Sequence, residues 1–276
     1  MKLPNFLIIG AAKSGTTSLY HYLKQHPSIY MSPIKEPDFF STKRANVGAK
    51  TLEEYSALFE AAKHETALGE ASVIYLTDPT SPDLIFNCIP DVKMICMLRN
   101  PIEASYSGYL AHLRIGRESK EFSEALKEGR YLNVGFYYRH LSRYFAKFNS
   151  EQIKIYFYDD FIKDNQTIFE DLFNFIGVDN SFVPDTLVRH NSSPSIPKNK
   201  WINKVLLQQN ILKNFAKVLV PSQISGRLKN TMIKANLESR SDMSPEIKSL
   251  LLQKYKEDIL NLQDLVNKDL THWLTN

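Results

Sequence analysis

Residues 6–19 read Phe-Leu-Ile-Ile-Gly-Ala-Ala-Lys-Ser-Gly-Thr-Thr-Ser-Leu, and this stretch restricts the fold more than any other. A short continuous apolar run ending in glycine is the pattern of an inner parallel strand. Small residues then form a tight turn, and a hydroxyl-rich run opens a helix. Strand, turn and helix N-terminus together aim several backbone N–H groups and the positive end of a helix dipole at one point, a cradle for phosphate. The ATP-splitting P-loop pattern is Gly, four residues, then Gly-Lys-Ser/Thr. Gly10 and Gly15 keep that separation, but Thr16 stands where the lysine belongs, and the turn's lysine is Lys13. That displacement argues first against an ordinary kinase.

The rest of the chain alternates in the same way. Apolar runs predict strands over 5–10, 28–31, 92–98 and 152–158. Helical spacing predicts helices over 14–26 (closed by Pro27), 52–62, 82–88, 122–128, 135–148 and 166–176, the last ended by Gly177. Residues 67–76 carry Gly69-Glu70-Ala71-Ser72 and then an apolar stretch. Asn100 caps a helix whose first position is Pro101 and which runs to about Ile115. Residues 188–199 are a Ser/Pro/Asn-rich connection, and 201–220 and 247–274 are helical. Strand–helix alternation predicts an α/β fold with a parallel sheet and helices on both faces. One domain over 1–276 is expected, with an α/β core over 1–198 and a helical C-terminal cover over 199–276.

Composition removes several function classes. A formal charge of +4 without a long Lys/Arg block gives no footing to nucleic-acid binding. It leans toward a small or weakly charged partner molecule. No segment approaches 18 apolar residues, so no membrane span is expected. Cys88 and Cys96 sit in apolar surroundings and read as buried thiols, not as a disulfide framework or metal site. A cytoplasmic enzyme of bacterial type is the expectation.

Three segments carry a family resemblance. Gly10–Ser18 resembles the 5′-phosphosulfate loop of sulfotransferases that use 3′-phosphoadenosine 5′-phosphosulfate (PAPS), especially the glycan (heparan sulfate) and bacterial branch. Met97-Leu98-Arg99-Asn100-Pro101-Ile102-Glu103-Ala104-Ser105-Tyr106-Ser107-Gly108-Tyr109 is similar to that family's 3′-phosphate motif: an Arg ending a strand, Asn-Pro opening a helix, and Ser eight residues after the Arg. Lys35-Glu36-Pro37-Asp38-Phe39-Phe40 is like its Lys-Glu-x-x-Phe-Phe stretch. With weaker matches downstream, the likeness covers most of residues 4–200.

The resemblance implies a P-loop-like three-layer fold. It also implies transfer of the PAPS sulfuryl group, without a metal, to a hydroxyl or amine of a small-molecule or saccharide acceptor. PAP (3′-phosphoadenosine 5′-phosphate) would be the other product. Lys13 is the cation for charge developing at the leaving phosphate, since its donors can follow a moving charge. Ser14, Gly15, Thr16, Thr17 and Ser18 supply donors to the 5′ end, the plainer alternative being that Ser14 simply caps a helix. The Arg99 fork suits a phosphate monoester, and Ser107 adds a hydroxyl; a strand-end ion pair and an ordinary helix serine are the alternatives.

Glu36 is the general base by resemblance to heparan sulfate O-sulfotransferases, with Phe39 and Phe40 as walls that desolvate it. A solvated turn is the competing reading. His112, on the same predicted helix as Ser107, is the rival base, although a lone helix histidine is more often structural. Glu70 and Ser72 match the family's Glu-x-Ser stretch, but Ala71 replaces the lysine that heparan-type enzymes place between them. In the family a loop near residues 189–198 closes on the nucleotide, which would bring Lys198 to the 3′-phosphate; a polar linker is the alternative. A Mg-dependent P-loop kinase or ATPase, and a non-catalytic nucleotide-binding module, are the competing functions.

Overall fold

The computed structural model describes residues 1–43, 49–187, 195–199, 237–239 and 242–275. Strands β1 (Phe6–Gly10), β2 (Ile29–Met31), β3 (Ala67–Ala71), β4 (Lys93–Leu98) and β5 (Ile153–Phe157) form one sheet in the order β2-β3-β1-β4-β5. Every pairing in it is parallel. Parallel neighbours need crossovers, and helices supply them: α1 (Thr16–Leu23), α2 (Leu52–Ala57), α3 (Ile74–Thr77), α4 (Ser81–Cys88), α5 (Pro101–Arg114), α6 (Phe122–Lys127) and α7 (Tyr137–Phe145). After β5 come α8 (Tyr158–Lys163) and α9 (Asn165–Ile176).

Burial explains why the central strands read as unbroken apolar runs. Side chains alternate across a strand, so Leu7 and Ile9 enter one core with Met94, Cys96 and Leu98. Phe6 and Ile8 enter the opposite core with Ile95 and Met97. Helices α5 and α7 cover the first face, α1 and α9 the second. This is the expected three-layer α/β arrangement.

The predicted helices are mostly longer than the observed ones. Residues 14–26 shorten to Thr16–Leu23, because Lys13 and Gly15 take left-handed φ values of 65° and 91° and leave the turn outside the helix. The 52–62 helix ends at Ala57, and the 135–148 helix begins only at Tyr137, after a 3-10 turn over Asn133–Gly135. Cys96 is buried as expected, but Cys88 is only half-buried at the end of α4.

Two corrections concern the C-terminal part. The 188–199 connection contains a strand, β6 (Ser195–Pro197), paired antiparallel with β7 (Leu237–Ser239), so the region after residue 198 is not wholly helical. A helix over 201–220 lies outside the described residues. The last helix, α10, runs Pro245–Val266, with Ser244 accepting from Ile247 N as its cap. Asp258 of α10 accepts from Tyr138 N and Arg139 N at 2.9 and 3.1 Å, placing a carboxylate at the N-terminus of α7. Among the described residues, no helix is long and apolar enough to cross a membrane.

Candidate functional site

The chain leaves β1 for strands on one side of it and passes from β4 to a strand on the other side. The C-terminal ends of these two neighbours are therefore the switch point where open α/β sheets hold ligands. Ala11 N donates to Met97 O at 2.8 Å and ties the two strand exits together. A cavity of about 450 Å³ opens there. Lys13, Thr16, Thr17, Glu36, Arg99 and Ser107 all line it, from three separate parts of the sequence.

The turn after β1 shapes the phosphate cradle. Gly15 occupies the N-cap position of α1 and so brings no side chain of its own to cap the first turn. A helix N-terminus of this kind points backbone N–H groups toward an anion. A Cβ on Gly15 would lie 3.0 Å from the Tyr158 ring, and its φ of 91° disfavours any side chain. Ser18 and Gly15 also line the cavity, but Ser14 does not. Its side chain is fully buried beside the Tyr137 hydroxyl, and the N-cap of α1 is Gly15, so Ser14 does not cap that helix. The Lys13 stem runs along α5, with Cγ 3.9 Å from where a Cβ on Gly108 would sit. Burial is the main cause that lowers the Lys13 pKa; the charges of Arg114 and Arg99 add to it, and Glu36 opposes.

Arg99 follows β4 as predicted. Leu98 pairs with Phe157, which brings Arg99 level with Tyr158, and the guanidinium lies 4.9 Å from that ring's centroid. Its Nε and Nη2 both donate to Glu103, one turn into α5. Asn100 accepts from Ile102 N at 3.0 Å, and Pro101 is the first helical residue, so the expected cap is present.

Glu36 sits on a turn laid along β3. Its side chain is 44% exposed and pairs with Lys35 at 2.6 Å. The aromatic neighbours do not wall it as expected. Phe40 is buried against Tyr55 and Tyr75, and Phe39 stacks on Tyr55 with centroids 4.3 Å apart. Desolvation acts two residues on, where burial and then the Glu36 charge raise the Asp38 pKa to about 6.

His112 is not among the residues lining the cavity. Its Nδ1 lies 3.1 Å from the Tyr131 hydroxyl, and burial first, then Arg117, lower its pKa. Lys198 is exposed just after β6 and does not line the cavity either. Sequence reasoning missed other lining residues of the cavity: Tyr22, Tyr158, Phe161, Ile162, Asn165 and Thr186. Tyr158 was findable in principle, since it follows the C-terminal end of β5, where this architecture gathers ligand contacts.

A cradle fed by two strand ends, with its lysine in the turn and an arginine opposite, defines a phosphate-binding α/β protein of P-loop type. The chain belongs to the sulfotransferase domain family, whose model matches residues 3–246. It is 38% identical over 110 residues to the membrane-associated sulfotransferase kil1 of Dictyostelium discoideum, covering 39% of this chain and 22% of that protein. The bifunctional heparan sulfate N-deacetylase/N-sulfotransferase 4 of Mus musculus is 30% identical over 197 residues, covering 64% of this chain and 22% of that protein. The chain thus spans about a fifth of the length of these curated relatives. The crystal structure of a sulfotransferase from Alicyclobacillus acidocaldarius superposes with a TM-score of 0.75 at 28% identity, covering 100% of both chains.

Proposed function

We propose that this chain transfers the sulfuryl group of PAPS to a hydroxyl or amine of a saccharide or small molecule. The observation that carries the reading is that Lys13 and Arg99 open onto one cavity from adjacent strand ends. Bound there, PAPS supplies an activated sulfuryl group attached to a good leaving phosphate. The α1 N-terminus with Thr16, Thr17 and Ser18 holds the 5′-phosphate. Arg99 and Ser107 hold the 3′-phosphate, as a bidentate donor and a hydroxyl suit a dianion. The residues fit this ligand, because Lys13, Arg99 and the hydroxyls of Thr16, Thr17, Ser18 and Ser107 line one cavity, cations and donors that suit a nucleotide with two phosphate groups.

Lys13 keeps its charge toward the leaving oxygen, and a partly desolvated ammonium stabilises charge there more strongly than one in water. Glu36 accepts the acceptor's proton. A saccharide acceptor is supported by the similarity to the heparan sulfate enzyme. A cytoplasmic, bacterial-type setting accompanies the proposal, supported by the free thiols of Cys88 and Cys96 and by the full-length likeness to the Alicyclobacillus enzyme.

The test incubates the purified chain with isotopically labelled PAPS and a panel: an N-unsubstituted heparosan oligosaccharide, 4-nitrophenyl glycosides, simple phenols and simple amines. Mass spectrometry should show gain of one sulfuryl group on at least one of them. Mg-dependent ATP turnover in place of transfer would overturn the reading, and calorimetric PAP binding with no transfer to any compound would reduce it to nucleotide binding.

A further inference from the structure

Glu70 is a fully buried carboxylate at the end of β3, outside the residues that line the cavity, and among the described residues its hydrogen-bond partners are hydroxyls. Three hydroxyls donate to it. Ser72 Oγ reaches Oε2 at 2.8 Å, and Tyr75 and Tyr55 reach Oε1 at 2.7 and 3.2 Å. A hydroxyl has one proton to give, so committing it to Glu70 leaves only lone pairs for its other neighbours. Those neighbours are backbone donors of the turn that bears Glu36. Asp38 N donates to Ser72 Oγ at 3.1 Å, and Phe40 N donates to Tyr75 Oη at 3.3 Å. Glu36 N itself donates to Ala71 O at 2.9 Å, beside Glu70.

The turn needs this support. Glu36 and Asp38 both hold left-handed φ values, 62° and 53°, which non-glycine residues keep only when the surroundings over-determine them.

We propose that Glu70 is a positioning residue, fixing the Glu36 turn through the hydroxyls of Ser72 and Tyr75. This rests on Glu36 being the base in the function proposed above. Glutamine at position 70 would turn an N–H₂ group toward one of the hydroxyls and leave that hydroxyl's proton without its acceptor. The turn would loosen while the nucleotide cradle, built on β1 and β4, stays intact.

The experiment compares wild type, Glu70→Gln, Glu36→Gln and the double variant. Turnover is read as PAP released from PAPS, with the best compound of the panel as acceptor and with water as the acceptor of last resort. Glu70→Gln should lower kcat by roughly 10- to 100-fold, the scale of an ångström-sized misplacement. Calorimetric PAP affinity should stay within about twofold. In the Glu36→Gln background the same substitution should change kcat little, because coupled residues are not additive. Hydrogen exchange should quicken in the peptide spanning residues 32–43 and not in the peptide spanning residues 10–20.

Full kcat in Glu70→Gln, a loss that simply multiplies with that of Glu36→Gln, or unchanged exchange over residues 32–43 would each overturn the proposal. Full activity of Glu36→Gln alongside quickened exchange would instead overturn Glu36 as the base and leave the anchoring of the turn standing. Should Glu70→Gln not fold, Ser72→Ala and Tyr75→Phe each cut one link and are held to the same readouts.

Discussion

Arg99 turns Nε and Nη2 onto one oxygen of Glu103, at 2.9 and 2.5 Å, so the arginine assigned to the 3′-phosphate already holds a carboxylate. A phosphate entering the cavity must share or replace it. The Glu103 side chain is 52% exposed, and accessible pairs of this kind contribute about 0–1 kcal/mol. Glu103→Gln should therefore tighten PAP by up to about fivefold. Arg99→Ala should weaken PAP roughly 10- to 100-fold, as for a lost charge-assisted bond of 1.5–3 kcal/mol. The same change should barely alter 5′-AMP, which has no 3′-phosphate. Calorimetry with both nucleotides checks each expectation.

Lys13 offers a pH signature. Its pKa lies below the ordinary lysine value because of burial and the nearby arginines. The ammonium is the useful form, so raising the pH removes it sooner than it would an exposed lysine. Turnover should fall on the alkaline side, and Lys13→Arg, which stays charged, should flatten that limb. Lys13→Ala should lower kcat by roughly 10²- to 10³-fold, the range for losing one preorganised charge-stabilising donor. A pH–rate profile of the three proteins decides the matter.

Gly15 predicts a coupled loss of fold and binding. Alanine there meets both a left-handed backbone and the Tyr158 ring. A strained substitution of this kind costs about 1–2 kcal/mol. Thermal melts should drop by roughly 2–8 °C. PAP affinity should fall too, because the same turn presents the helix N–H groups.

Glu70 and Asp38 link stability to pH. Burial raises Glu70 to about 7, and Asp38 stands at about 6. Both exceed the ordinary carboxylate values of 4.5 and 3.8, so the folded chain binds these protons more tightly than the unfolded one. Stability from them is complete at low pH and is lost as pH rises through about 7. His140, held near 4 by burial, works in the opposite sense over part of this window. Glu70 faces Asp38 and the Tyr55 and Tyr75 hydroxyls, so its share is isolated by difference. Between pH 5 and pH 8 the wild-type melting temperature should fall by roughly 2–5 °C relative to Glu70→Gln.

How much was legible follows from what each signal encodes. The apolar runs at β1 and β4 found their strands because both faces are buried, which leaves no polar alternation to confuse. The placement of Gly15, Lys13 and Arg99 after strand ends was readable because strand–turn–helix patterning is local in sequence. The walls of Glu36 were misread for the opposite reason: Phe39 and Phe40 meet Tyr55 and Tyr75, and nothing near residue 40 reveals a partner from another segment. The β6–β7 pair was invisible for a similar reason, since three-residue strands distant in sequence carry no periodicity. The Glu70 hub hid behind a motif match at Glu70 and Ser72, whose purpose appears only when Tyr75 and the turn backbone are placed around it.

The final helix also changes how the protein should be handled at the bench. Tyr255 Oη lies 2.9 Å from Ser105 Oγ and donates to Leu132 O at 2.9 Å, so α10 buttresses α5 two residues before Ser107. A shortened version ending ahead of Pro245 would strip that brace from the helix that presents Ser107. Fragment screening, crystallisation trimming or domain grafting should therefore carry α10 along as an integral wall and never discard it as a tail.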